Sequence, residues 1–276
     1  WRGDIWRAPA GGGQATRLTT HPADDLRPAW SPDGTLIAFE SDREGTRNLF
    51  VMKPDGTSIA QVTDTDVAQT LSGFFTGPDG KPTLAFDASV EGDLYRSARP
   101  YHVNLTGGTP TRVLDAFGTF AQYSKDGSKV LFERGGSAWF RRHYRGPDAR
   151  DVWMFDVKSG AYTRLTDFNG NDGMPRWTGS DSFVFLSDRA NETINLFRQG
   201  TTLNGKPVQL TDFKDTDIHW VTVSGDGKRA IVANWDTLYS VDISGKTPPA
   251  EASLLIDENL RGSGSSGCNT WSAALY

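Results

Sequence analysis

The chain has 276 residues, of which 37% are hydrophobic and 23% charged, and its net charge is −5 at pH 7. This composition allows a buried core and predicts a soluble protein. The acidic balance, without a long basic run, argues against binding nucleic acid through phosphate contacts. No apolar run approaches the roughly 18 to 20 residues that span a bilayer, so no membrane partner is expected.

Cys268 is the only cysteine in the sequence. An internal disulfide and a multi-cysteine metal site are therefore excluded. The chain opens at Trp1 with neither a methionine nor a signal-like segment. We interpret this as a processed or trimmed chain, and the sequence leaves open whether the protein is cytoplasmic or exported.

Residues 28–63 read as a four-stranded antiparallel meander. Short apolar runs at 36–39 and 49–52 alternate with tight-turn sequences, Pro-Asp-Gly at 32–34 and again at 54–56. Proline presets φ and glycine takes φ > 0 in such turns, and the apolar runs are too short for helices.

This unit recurs at a spacing of about 45 to 52 residues, close to the period of four-stranded propeller blades. Five units have an Asp-containing first turn, and a closing segment that resembles Leu-Thr recurs along the chain. The closing segments end at Thr19, Thr63, Leu114, Thr166, Thr211 and, more weakly, Ile256. The predicted third strands cover residues 48–52, 93–97, 151–156, 195–198 and 237–242.

The two chain ends read as parts of one further unit. Residues 3–9 predict its third strand, 15–19 its fourth and 270–276 its second. We therefore predict a single all-β domain, a six-bladed β-propeller of four-stranded antiparallel blades, whose first blade joins both termini and leaves no open sheet edge. A β-sandwich with coincidental turns is the alternative. The blades are expected at about 1–20 plus 268–276, 27–64, 70–115, 118–167, 173–212 and 217–257.

Residues 262–267, Gly-Ser-Gly-Ser-Ser-Gly, have the composition of a flexible linker. Their position before the closing strand suggests a circularly permuted or otherwise engineered chain. A natural glycine-serine loop is the alternative.

Ser-Pro-Asp-Gly at 31–34, Ser-Asp-Arg at 41–43 and 187–189 and the recurring closing Leu-Thr resemble the blade repeat of TolB-type and tricorn-type propellers. Residues 134–156 are more narrowly similar to the fourth-blade region of the N-terminal propeller of tricorn-type serine peptidases. They contain an Arg-Gly-Gly turn, His-Tyr-Arg-Gly and an Arg-Asp-Val-Trp strand in that order. Gly-Asp-Ile-Trp at 3–6 resembles the opening blade of the same six-bladed domain. The resemblance extends to about Asn259.

The resemblance implies that this domain does not cut peptide bonds. In that family the catalytic Ser and His lie in separate C-terminal domains, beyond a second propeller and a PDZ-like domain, and none of these is in the sequence. The implied function is a non-catalytic scaffold or a peptide-gating domain, with a peptide, a protein segment or the other domains of the parent peptidase as partner. The alternatives are a stand-alone TolB-like interaction module and, with less support, an enzyme that uses the channel.

No motif of the sequence assigns a catalytic residue, a cofactor or a metal. Gly-x-Ser-x-Gly, His-Glu-x-x-His, the phosphate-binding loop and the dinucleotide fingerprint are all missing from it. Its Asp-rich turns lack the calcium-loop spacing of the EF-hand. A Ser/His/Asp triad built from distant residues stays open.

The residues with the strongest ligand-binding character are Arg141, Arg142, His143, Tyr144 and Arg145, in an insertion between a second and a third strand. Guanidinium groups bind carboxylates in a bidentate manner, and aromatic rings stack on a passing chain. These residues therefore suit a peptide carboxylate or an acidic partner. The alternative is a clamp in which the arginines pair with Asp148, Asp151 or another module.

His219 lies where the first strand of the last blade is expected to begin. First strands line the channel of a propeller, so this side chain is a candidate channel contact. The alternative is a hydrogen-bonded histidine of the core.

Overall fold

The computed structural model describes residues 3–77, 79–91, 97–138, 141–190, 193–202 and 205–255. These residues form strands and turns without any helix. Near the N-terminus, β1 (Trp6–Arg7) pairs antiparallel with β3 (Thr16–Arg17), and β2 (Gly13–Gln14) lies between them in sequence.

Five four-stranded antiparallel sheets follow within the described residues, each with its strands in chain order. Blade I consists of β4 (Asp25–Trp30), β5 (Ile37–Ser41), β6 (Asn48–Met52) and β7 (Ala60–Gln61). Blade II consists of β8 (Gln69–Thr76), β9 (Pro82–Ala88), β10 (Arg99–Asn104) and β11 (Thr111–Arg112). Blade III consists of β12 (Thr119–Tyr123), β13 (Lys129–Arg134), β14 (Asp151–Asp156) and β15 (Tyr162–Arg164).

Blade IV consists of β16 (Asp172–Trp177), β17 (Ser182–Ser187), β18 (Asn195–Gly200) and β19 (Val208–Gln209). Blade V consists of β20 (Ile218–Val223), β21 (Arg229–Asn234), β22 (Thr237–Asp242) and β23 (Ala250–Glu251). The first strands β4, β8, β12, β16 and β20 contact one another in that order, as the inner strands of a propeller do.

The predicted all-β propeller with four-stranded antiparallel blades is thus confirmed, whereas the predicted count of six blades is not. The described residues hold five complete blades and the two-stranded sheet of β1 and β3. The strand expected at 270–276 and the linker at 262–267 lie outside the described residues.

One further strand joins the two ends of the described chain. β24 (Leu254–Leu255) pairs in parallel with β2, at Gly13 with Leu254 and Gln14 with Leu255. The sequence analysis assigned Leu254 and Leu255 to the closing segment of the last blade, which is wrong because the fourth strand of blade V is β23. It predicted no strand at Gly13–Gln14.

Most of the third strand predicted at 93–97 lies outside the described residues, and the strand that pairs with β9 lies further along the chain. In blade II the third strand is β10, and it begins at Arg99. Pro100 and Tyr101 are buried in it, and Tyr101 pairs with Phe86 of β9. Proline is disfavoured inside strands, so Pro100 obscured the strand pattern of β10 in the sequence. More residues also separate β9 from β10 than separate β5 from β6 in blade I.

The blades owe their cores to the second strands, which are buried on both faces and therefore read as continuous apolar runs. Phe39, Phe86, Phe132 and Phe185 occupy the same position of β5, β9, β13 and β17 and are fully buried. The largest cluster joins blades IV and V through residues such as Leu186, Leu196 and Val221.

The closing Leu-Thr of the repeat has a structural role. The hydroxyl of Thr63 accepts the N–H of Leu49 at 2.9 Å and donates to Asn48 at 3.1 Å, which ties the end of a blade to its third strand. Thr211 repeats this arrangement with Leu196 and Asn195.

Candidate functional site

An acid near the end of the second strand links each of blades I to III to the inner strand of the next blade. The three carboxylates are buried and accept backbone N–H groups in the pairs Leu71 to Glu40 (2.6 Å), Phe120 to Asp87 (2.6 Å) and Met174 to Glu133 (3.0 Å). Acid and donor lie in different blades, so each bond fixes the position of one inner strand relative to its neighbour.

The inner strands are irregular at these links. Every one of β4, β8, β12, β16 and β20 has a register shift against its second strand. Arg27, Phe120 and Met174 have φ of 47°, 57° and 48°, a left-handed conformation that costs a non-glycine residue on the order of 1–2 kcal/mol. The bonds to Asp87 and Glu133 help to hold the last two in it.

Four side chains from these bulged strands meet around the axis, and we call Arg27, Phe120, Arg176 and Trp220 the axial cluster. The guanidinium carbon of Arg176 lies 5.5 Å from the Trp220 ring centre and 5.9 Å from that of Phe120. Arg27 lies 6.0 Å from the same Trp220 ring, and the two aromatic rings meet edge to face at 6.2 Å. Blades I and V, at opposite ends of the described series, therefore approach each other here.

The two arginines of the axial cluster differ in their partners. Arg27 forms an ion pair of 2.7 Å with the buried Glu40. Arg176 is only 7% exposed, donates one hydrogen bond to the carbonyl of Pro175 at 2.9 Å and forms no ion pair with any described carboxylate. Burial lowers the pKa of Arg176 to about 10, so it is still a cation at neutral pH.

The acids near Arg176 are engaged by other groups. Glu133 forms an ion pair with Arg150 as well as its link to blade IV. Asp87 accepts the Phe120 N–H and, at 3.2 Å, the Ser72 hydroxyl through one oxygen, while its other oxygen is buried without a partner among the described residues. Burial raises the pKa of Asp87 to about 7.

The predicted ligand-binding residues 141–145 form a second basic surface, which we call the basic loop. Its arginines differ in their contacts: the guanidinium of Arg141 stacks on the Tyr144 ring at 4.2 Å, whereas Arg142 forms a 2.7 Å ion pair with Asp217, just before β20. Arg141 and Arg145 are exposed. Of the acids expected as clamp partners, Asp151 pairs instead with Arg164 at 2.8 Å.

Buried polar side chains of blade IV hold the backbone of the basic loop. The N–H of His143, whose φ is 51°, donates to Asp188 at 2.8 Å. The amide of Asn171 donates to the Arg141 carbonyl at 3.0 Å and to Asp188 at 2.9 Å. The loop is therefore positioned by contacts to its backbone, and the side chains of Arg141 and Arg145 stay exposed at the surface.

His219 lies on β20, two residues beyond the partner of Arg142. It is half-buried, and its Nε2 is buried without a hydrogen-bond partner among the described residues. Burial lowers the pKa of His219, which keeps the imidazole neutral at pH 7. The structure thus brings the strand of His219 to the basic loop through Asp217.

The part of the chain that the structure describes has no group of three or more His, Cys, Asp or Glu side chains placed to hold a metal ion. It also has no helix with the length and apolarity of a membrane span.

Residues 1–247 match the family described as the tricorn protease N-terminal beta propeller domain. The chain belongs to this family. Tricorn protease homolog 1 of Streptomyces coelicolor is 32% identical over 190 residues, which are 67% of this chain and 17% of that protein. An uncharacterized Agrobacterium fabrum protein, Atu1656, is 26% identical over 48% of this chain and 47% of its own length. The chain thus spans less than half the length of these curated relatives.

Solved structures show the same fold for this tricorn-family propeller. The crystal structure of the tricorn protease superposes with a TM-score of 0.74 at 17% identity and covers 91% of this chain and 24% of that one. The putative TolB from Agrobacterium tumefaciens superposes with a TM-score of 0.68 at 19% identity, covering 86% and 83%.

The axial cluster of this tricorn-family domain was missed as a site in the sequence analysis. The sequence places Arg27 and Arg176 on first strands, but only His219 was singled out from them. The sequence did contain a signal for this site, because arginines occur on strands expected to line a channel although the net charge of the chain is negative.

Proposed function

We propose that this chain is the non-catalytic N-terminal propeller of a tricorn-type serine peptidase. In this proposal it binds peptides that catalytic domains elsewhere in the parent protein cleave. The observation that carries this proposal is the family match over residues 1–247. The match to tricorn protease homolog 1 covers only 17% of that relative, which leaves ample length for catalytic domains there.

The basic loop and His219 are the peptide-contacting residues of this proposal. Arg141 and Arg145 are exposed on a loop whose backbone is held by Asn171 and Asp188. A guanidinium on a fixed backbone loses less freedom when it binds a carboxylate, so the loop favours acidic segments of a peptide. Arg142 serves both as a clamp to Asp217 and as part of this surface.

The test is incubation of the immobilised domain with a diverse peptide mixture, read by mass spectrometry for retention and for cleavage. We expect selective retention of acidic peptides without cleavage, and we expect Arg141→Ala together with Arg145→Ala to weaken it about tenfold, the loss of roughly 1.4 kcal/mol. Arg229→Ala, an exposed arginine at the start of β21, is the matched control.

Three results would contradict the proposal. Cleavage that survives repurification would make the domain an enzyme. Retention that the basic-loop variant leaves unchanged would remove the loop from the peptide-contacting surface, and no retention at all would leave a scaffold.

A stand-alone TolB-like interaction module is the second candidate, because the chain covers 83% of the Agrobacterium tumefaciens TolB structure. The two candidates predict different coding sequences after the propeller in the parent gene. Peptidase domains encoded downstream favour the first, and an open reading frame that ends with the propeller favours the second.

We further propose that the ring has six blades and that residues 268–276 complete the blade begun by β1 and β3. Support comes from the repeat pattern and from the two-stranded sheet, which lacks inner strands among the described residues. Deleting 268–276 is expected to lower the melting temperature by many degrees, because an inner strand is lost. An unchanged melting curve would show that the tail is merely appended.

A further inference from the structure

The axial cluster contains a buried cation that pairs directly with no described carboxylate. Arg176 uses one N–H for the carbonyl of Pro175 and has no ion pair with the described carboxylates. Its other N–H groups form no hydrogen bond with the described residues. A residue only 7% exposed therefore carries unused donors beside the Phe120 and Trp220 rings.

The surroundings of Arg176 fix which ligand suits these donors. Phe120 and Trp220 flank the guanidinium at 5.9 and 5.5 Å, which orients the planar group and provides apolar surface beside it. The nearby acids Glu133 and Asp87 bind the Arg150 guanidinium and the Phe120 N–H, respectively. Neither of them therefore forms a bidentate ion pair with Arg176. The planar guanidinium group can bind a carboxylate through two parallel N–H···O hydrogen bonds.

We infer that the axial cluster binds a carboxylate carried on an apolar or aromatic group, with Arg176 holding the carboxylate and Trp220 and Phe120 packing against the apolar part. The ligand is either the free C-terminus of a peptide or a small organic acid such as an N-acylated amino acid. This inference deepens the proposed function and rests on it where the ligand is a peptide. It concerns residues other than the basic loop.

The experiment uses two probes that differ in charge alone, N-acetyl-phenylalanine and N-acetyl-phenylalaninamide, titrated calorimetrically into the whole chain. We expect the acid to bind at least tenfold more tightly than the amide. Arg176→Gln is expected to abolish that preference, and Trp220→Leu to weaken both probes. Arg198→Gln, on β18 of the same blade with a hydrogen bond to the Ile243 carbonyl, is the control that leaves the preference intact.

The wild-type comparison of acid with amide does not depend on whether a variant folds, and circular dichroism checks each variant. Equal binding of the two probes, no binding of the acid, or a preference retained by folded Arg176→Gln would overturn the inference. A hexapeptide ending in phenylalanine, as the acid and as the amide, distinguishes the two ligand sources.

The outcome separates this inference from the proposed function. Acid binding that depends on Arg176, in a domain that retains no peptides, supports the axial site and contradicts the peptide-contacting role. Peptide retention that depends on Arg141 and Arg145, together with equal affinity for the acid and the amide, supports the peptide-contacting role and contradicts the axial site.

Discussion

Asp87 shows how a single residue sets the behaviour of the inner strands. It reaches from β9 to the N–H of Phe120, which has the left-handed backbone of the bulge in β12. Any acceptor at this position satisfies the N–H, but a charged carboxylate is additionally penalised by its burial. The hydrogen bond therefore stabilises the link between blades II and III, whereas the charge opposes it.

This conflict predicts a pH dependence for Asp87→Asn. The folded-state pKa, about 7, lies above the ordinary value of 3.8, so the folded protein binds more protons between these values. The free energy of unfolding of the wild type consequently falls as the pH rises toward 7. Asparagine keeps an acceptor for Phe120 and stays neutral, so we expect the melting temperature of the variant, relative to wild type, to rise by about 5 °C from pH 5 to pH 8.

Asp126→Asn is the control for this experiment. Asp126 lies in the exposed first turn of blade III, where hydrogen bonds from Ser124 and Ser128 lower its pKa to about 2. Its folded and unfolded values both lie below pH 5, so the difference between this variant and wild type should stay constant from pH 5 to 8. A constant difference for Asp87→Asn as well would show that Asp87 does not titrate in that range.

At the scale of the element, the Ser-Asp-Arg motif joins the strands of one blade. Arg189 bonds to the Ser187 hydroxyl at 2.9 Å and forms an ion pair of 2.5 Å with Asp172, the first residue of β16. Its guanidinium also lies 5.1 Å from the Phe185 ring centre. Arg43 makes the corresponding contacts in blade I. The motif thus fastens the start of an inner strand to the end of its second strand.

Arg189→Ala is therefore expected to lower the free energy of unfolding by about 3–5 kcal/mol, since it leaves the fully buried side chain of Asp172 without its counter-ion. Adding Asp172→Asn should recover part of the loss because the buried charge is then removed. Lys228→Ala, which breaks the exposed pair with Asp226, should change stability by less than about 0.5 kcal/mol. Urea titration measures all three, and equal losses in the two single variants would contradict a structural role for the motif.

The elements were predictable wherever local chemistry repeats. The turn sequence at 31–34 recurs because its Asp33 accepts hydrogen bonds from Ser31 and Thr35, contacts between near neighbours in the chain. β10 was misplaced because nothing local fixes the length of the connection before it. The axial cluster could not be predicted for a related reason, since Arg27 and Trp220 are far apart in sequence and meet only through the arrangement of the five blades.

At the scale of the whole molecule, the parallel ladder of β2 and β24 joins the N-terminal segment to the end of the described chain. Gly13 donates its N–H to the Ser253 carbonyl at 2.9 Å, and Ala15 donates to Leu255 at 2.8 Å. Loop closure over almost the full chain length is unfavourable in entropy, so such a junction forms only when the five blades between its strands are largely assembled. It therefore reports on the assembled blades together rather than on one blade.

Gly12 makes this junction testable. Its φ is +92°, and a Cβ there would lie 2.5 Å from the carbonyl oxygen of Ser253, whereas a Cβ on Gly11 would meet nothing within 4 Å. We expect Gly12→Ala to speed hydrogen exchange at the Gly13 and Ala15 amides and to lower stability by at least about 1 kcal/mol, while Gly11→Ala does neither. Deletion of residues 253–276 should expose the same two amides, because their acceptors are removed. Slow exchange at these amides in Gly12→Ala and in the truncated chain would mean that the N-terminal segment is held in place without this ladder.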